Sequence, residues 1–146
     1  MGTPRSIRFD PAVEGRLVTY AALHPGASTS SVAARLVDEG LRMGEHPGVM
    51  FRDGPTGRRA VLVGGPDVWE VIRAVRSARS SEPALDEAAI LGLVSENSGV
   101  VPRLVRAAVG YWAAYPHEVD ALVEHANRVD AEQLLAWERT RGLLAK

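Results

Sequence analysis

A chain of 146 residues, 46% apolar and 24% charged, is long enough for one compact domain or two small ones and has the make-up of an ordinary globular protein. It has no run of about eighteen apolar residues to span a membrane, no export-signal core after the first basic residue, and no cysteine for disulfides or thiolate metal sites, so a cytoplasmic location is expected. The net charge of −1 sets it apart from proteins that bind nucleic acid by being basic throughout.

Thr3-Pro4-Arg5-Ser6-Ile7-Arg8-Phe9 reads as one short strand, with Ile7 and Phe9 on one face and Ser6 and Arg8 on the other. Asp10 is a good helix N-cap and Pro11 suits the first helical position. The helix this predicts runs to about Leu23, with an apolar stripe of Val13, Leu17, Tyr20 and Ala21. His24-Pro25-Gly26 ends it. Ser28-Thr29-Ser30-Ser31 offers a cluster of caps for a second helix to about Met43, whose apolar face is Val32, Leu36, Val37, Leu41 and Met43. Gly44, with His46-Pro47-Gly48 behind it, predicts a boundary between residues 1–44 and 45–146.

Beyond that boundary the pattern predicts a hairpin. Its strands are Val49-Met50-Phe51 and Ala60-Val61-Leu62-Val63, its turn is Asp53 to Gly57, and Arg52, Arg58 and Arg59 flank it. Gly64-Gly65-Pro66-Asp67 lacks the lysine of a phosphate loop and reads as a turn with Asp67 capping a helix that fades over 76–81. The rest reads as helix with breaks. Expected are helices at Leu85–Val94 and Val100–Tyr115, a turn at 95–99, a new start or a kink at Pro116, and a last helix capped by Asp130 with Gln133 in capping-box position.

One strand and two helices bury too little to fold alone, whereas two copies can pair their strands into a ribbon. Charge is uneven along the chain: residues 1–44 carry five arginines against four acids, 45–80 six against four, and 81–146 six basic residues against ten acids. Sixteen of the seventeen basic residues are arginine, a bias that fits a high-GC bacterial genome.

The string Arg5-Ser6-Ile7-Arg8-Phe9-Asp10 and the turn Gly26-Ala27-Ser28-Thr29-Ser30-Ser31-Val32 resemble the ribbon-helix-helix family of the CopG/Arc/MetJ type. That resemblance implies a homodimer whose two-stranded ribbon enters the major groove of double-stranded DNA. Ile7 and Phe9 would then pack under the ribbon, with Val32 and Leu36 in the dimer core. Ser6 and Arg8 would face the bases, since a guanidinium can bond guanine N7 and O6 together. Ser28, Thr29 and Ser30 would hold a DNA phosphate at the positive end of the second helix. Pro4 departs from the family's usual polar reader and cannot donate to the ribbon ladder, which implies a shorter ribbon and weaker specificity.

The small hairpin with Arg58-Arg59, the helix after Gly65-Pro66-Asp67, the acidic start Leu85-Asp86-Glu87-Ala88, and the string Arg103 to Trp112 resemble the domain-of-unknown-function family four-three-three of VapB-type antitoxins. The match is to a divergent branch, because Val-Gly-Gly-Pro-Asp replaces the family's usual Gly-Thr-Arg string. This implies a helix-turn-helix-like domain in a toxin–antitoxin context, and a PIN-type toxin as second partner.

Trp69, Tyr111, Trp112 and Tyr115 fit a core at helical spacing, and Trp112 and Trp137 are candidate anchors for a partner protein. His117 and His125 are not at His-x3-His spacing, so no metal site is expected. No nucleophile–base set or carboxylate pair stands out, and neither an enzyme nor a cofactor is expected. The fold class expected is mainly α with a short N-terminal strand and a small β-hairpin, a ribbon-helix-helix followed by a helix-turn-helix-like helical domain. The function expected is an antitoxin-type transcriptional regulator. Two alternatives stand beside it: an interaction module whose ribbon only dimerises, and DNA binding through the C-terminal helix-turn-helix with Arg103 and Arg106.

Overall fold

The computed structural model describes residues 2–145 and divides the chain into two compact units, Met1–Arg42 and Met43–Lys146. The protein is mainly α-helical, with a single two-stranded antiparallel hairpin among the described residues.

In the first unit, residues 3–9 carry no regular secondary structure. The alternation there predicts a strand, but extended backbone without a neighbouring strand has no hydrogen-bond ladder to join. Helix α1 (Pro11–Ala22) starts where the sequence places it: the Asp10 carboxylate accepts from the amides of Ala12 and Val13 at 2.9 and 3.0 Å. Its end is held by His24, whose ring stacks on Tyr20 at 4.3 Å and bonds the Tyr20 carbonyl. Helix α2 (Thr29–Glu45) runs two residues further than expected. Gly44 lies inside its last turn, because one glycine costs a helix only about 1 kcal/mol and does not oblige it to stop.

The second unit begins with β1 (Val49–Gly54) and β2 (Gly57–Leu62), paired from Val49↔Leu62 to Gly54↔Gly57. The turn is tighter than expected, with only Pro55 and Thr56 between the strands. A Cβ on Gly54 would collide with the Arg59 guanidinium, so this glycine is what lets Arg59 lie across the hairpin. Arg59 and Arg52 both reach the Asp67 carboxylate, and Trp69 Nε1 donates to it at 3.0 Å. Glu70 reaches back to accept from the Asp67 amide at 2.9 Å and so closes the start of α3 (Val68–Ser81).

Helix α3 is central: it packs on β2, α4 (Glu87–Ser98), α5 (Pro102–Ala114) and α6 (Pro116–Leu144). The core joins Val49, Leu62, Val71, Leu91, Val105 and the fully buried Tyr111, whose hydroxyl bonds Glu118 at 3.0 Å. Val68, Ile72, Val94, Val100 and Ala108 complete its centre.

Three expectations are corrected here. Helix α3 does not fade over 76–81 but runs to Ser81. Ser95 to Ser98 belong to α4, and only Gly99 turns, at φ 72° in the left-handed region. Asp130 is not a cap: α6 continues through it, since no glycine or proline follows Pro116 until Gly142. Asp130 instead pairs with Arg73 at 2.8 Å, and Arg76 pairs with Asp120 at 2.6 Å, so α3 and α6 are tied twice.

Replacing Asp67 with Ala removes the acceptor shared by Arg59 and the Trp69 indole. Leaving the nearly buried Arg59 unpaired is expected to cost about 3 kcal/mol in urea unfolding, and a loss under about 1 kcal/mol would show that the carboxylate is not the anchor. Asp120 is held below its ordinary carboxylate value by the Trp112 indole N–H first, and also by Arg76. The native state therefore binds fewer protons there than the unfolded chain. The contribution is present above the unfolded value near 3.8 and is lost as pH falls through the lowered native one. Asp120→Asn should flatten the stability profile in that acid window and leave the profile near neutrality parallel to wild type.

Candidate nucleic-acid interface

The residues expected to read DNA lie in the first unit. Ser6 and Arg8 are exposed in the arm that precedes α1, together with Thr3, Pro4 and Arg5. Ile7, expected beneath a ribbon, is 65% exposed, and Phe9 is half-buried. The alternation of polar and apolar residues is thus present without the partner strand that would give it two faces.

Ser28 occupies the position expected of it. Its hydroxyl accepts from the Ser31 amide at 3.1 Å, and its carbonyl takes the Ser31 hydroxyl and the Val32 amide. Thr29 and Ser30 form the exposed first turn of α2, where amides have no intrahelical carbonyl to bond. No acid lies in this first turn, and the free amides of a helix start can in general accept an anion.

The interior of the first unit is thin. Among its described residues only Ala21, Val32 and Glu39 are buried. Of the two residues expected in a dimer core, Val32 is buried within the single chain and Leu36 is half-buried. Val13, Val18, Leu23, Val37 and Leu41 are exposed. Phe9, Val13, Leu17, Tyr20, Leu36 and Val37 line an open groove of about 330 Å³ between α1 and α2. The two helices are linked by Arg35, which donates to the Tyr20 hydroxyl at 3.4 Å and lies 3.8 Å from the buried Glu39 carboxylate.

The second unit presents a different candidate. Helices α4 and α5 are joined by Gly99, Val100 and Val101, a three-residue turn of the kind that links helix-turn-helix pairs. Arg103 is exposed in the first turn of α5, whereas Arg106 pairs with Glu87 of α4. The hairpin arginines do not form a free basic wing. Arg52 and Arg59 bind Asp67, and Arg58 reaches Asp53 at 3.4 Å. Sequence reasoning recognised Asp67 as a cap but missed that it gathers these arginines, because residues brought together by a hairpin carry no local spacing signal.

Among the described residues no cluster of His, Cys, Asp or Glu could hold a metal ion. No helix is long and apolar enough to cross a membrane, again among the described residues.

Ser28→Ala should cost the full-length chain about 1 kcal/mol through loss of the α2 cap, read as an early transition in denaturation followed by circular dichroism. An unchanged profile would remove Ser28 from the account of this helix start. The chain matches no family model, no curated protein and no solved structure.

Proposed function

We propose that the protein is a homodimeric, sequence-specific DNA-binding transcriptional regulator of the antitoxin type, which represses its own operon and binds a second protein. One observation carries the reading: a basic, alternating arm precedes two helices whose apolar stripes are left open along a groove. A second copy is the occupant that suits this groove, because it brings both the missing strand and a matching apolar surface. Pairing the arms would place Ile7 and Phe9 inward and Ser6 and Arg8 outward, and the helix starts at Ser28–Ser30 would take flanking phosphates. A two-fold dimer reads a palindromic site.

The exposed end of α6 supports a protein partner. From Asp130 onward every described residue is exposed, among them Leu134, Leu135, Trp137, Leu143 and Leu144. On this reading the partner is a toxin, of the PIN-type ribonuclease class that the likeness to VapB-type antitoxins implies.

A second reading rests on the α4–Gly99–α5 turn, with Arg103 of α5 as the DNA contact. Arg8→Ala and Arg103→Ala, made separately in the full chain, discriminate between the two. The ribbon reading expects Arg8→Ala to lose about 1–3 kcal/mol of operator binding in gel shifts and to relax specificity, with Arg103→Ala near wild type. Wild-type operator affinity in Arg8→Ala would remove the ribbon as the reader. Sedimentation is expected to give a dimer, and a monomer at micromolar concentration would remove the two-copy ribbon altogether.

A further inference from the structure

The second unit holds a cleft of about 690 Å³ whose lining comes from α3, α4 and α5. That volume lies within the roughly 300–1,000 Å³ of small-molecule sites. Its walls are apolar: Ile72 and Val75 of α3, Ile90 of α4, and Val109 and Trp112 of α5. At its margin stand three arginines, Arg76, Arg79 and Arg106, against one lining carboxylate, Glu87.

The arginines differ in how they are occupied. Arg76 bonds Asp120 at 2.6 Å, and its guanidinium sits 5.5 Å from the Trp112 ring centre, which holds the indole as a flat wall. Trp112 Nε1 donates to the same Asp120 oxygen at 2.9 Å, a second restraint on the ring. Arg106 pairs with Glu87 where both side chains are more than half exposed, so water competes for the pair. Arg79 donates to the Leu85 carbonyl at 2.5 Å and, among the described residues, pairs with no carboxylate. A guanidinium carries five N–H donors in a planar fork, so most of those on Arg79 remain available to a ligand.

A cation would meet the excess positive charge of this margin, and a purely apolar molecule would leave the guanidiniums unused. We propose that the cleft binds an amphipathic organic anion, with a carboxylate or sulfonate head at Arg79 and Arg106 and an aromatic or aliphatic body against Trp112 and Val75. This site is independent of the ribbon reading, since every residue in it belongs to the second unit.

The test titrates the full-length protein with naphthoate while the indole N–H signals of Trp69, Trp112 and Trp137 are followed in nitrogen–proton correlation spectra. Naphthylmethylammonium, with the same ring and the opposite charge, serves as the control. Naphthoate is expected to move the Trp112 signal saturably and leave Trp137 in place. Arg79→Gln is expected to weaken binding about tenfold, as loss of a charge-assisted hydrogen bond does. Arg106→Gln should weaken it in the same direction and provides a second variant should Arg79→Gln disturb the 82–86 loop. The proposal is overturned by a Trp112 signal that does not move, by equal binding of the ammonium compound, or by wild-type affinity in both variants.

Discussion

The carboxylate of Asp67 is the point on which the second unit turns. It sits at the junction of hairpin and helix, nearly buried, and gathers Arg59, Arg52 and the Trp69 indole. A buried carboxylate without partners would be strongly unfavourable, so each donor is a requirement as much as a gain. Those donors come from both strands and from the first turn of α3. The hairpin, which alone would be marginal, is thereby fixed to the helix around which α4, α5 and α6 assemble. Gly54 belongs to the same device, since a Cβ there would displace the Arg59 guanidinium from the place it holds.

That arrangement has a functional consequence. Arginines around a hairpin turn suggest a wing for nucleic acid, yet here they are spent on structure. Positive charge remains available elsewhere: at Arg5 and Arg8 of the arm, at Arg103 of α5, and at the margin of the α3–α4–α5 cleft. The near-neutral net charge of the chain therefore hides local surfaces of opposite character, with ten acids concentrated beyond residue 80.

The two units also differ in self-sufficiency. The second closes a core around Tyr111, Val105 and Val71, while the first buries three described side chains and leaves its helix stripes open. At about 25 cal/mol per Å² of apolar surface, burying a few such aliphatic side chains against another surface would contribute several kcal/mol. This imbalance, more than any single residue, is why a second copy belongs in the functional reading. The tail of α6 has the same character on a smaller scale: Arg141 stacks over Trp137 at 4.6 Å and partly shields an otherwise open ring.

Local chemistry was legible wherever it is set by neighbours in the chain. Asp10-Pro11, Ser28 and Asp67 mark helix starts because a cap or a fixed φ acts within one turn, whereas the starts expected at Leu85 and Val100 fall two residues later, at Glu87 and Pro102. Helix breaks were less legible: Gly44 and the Ser95–Ser98 stretch look like stops and Asp130 like a new start, but the helices run through all three, with Asp130 paired to Arg73. At the candidate interface, the sequence by itself determined the alternation of residues 6–9 and the cap at Ser28, both matters of short spacing. Only the tertiary structure decided that the hairpin arginines are bound to acids, that three arginines and a tryptophan from separate helices border one cleft, and that the first unit leaves its apolar stripes uncovered. Those facts depend on which distant side chains meet, and a linear spacing does not encode that.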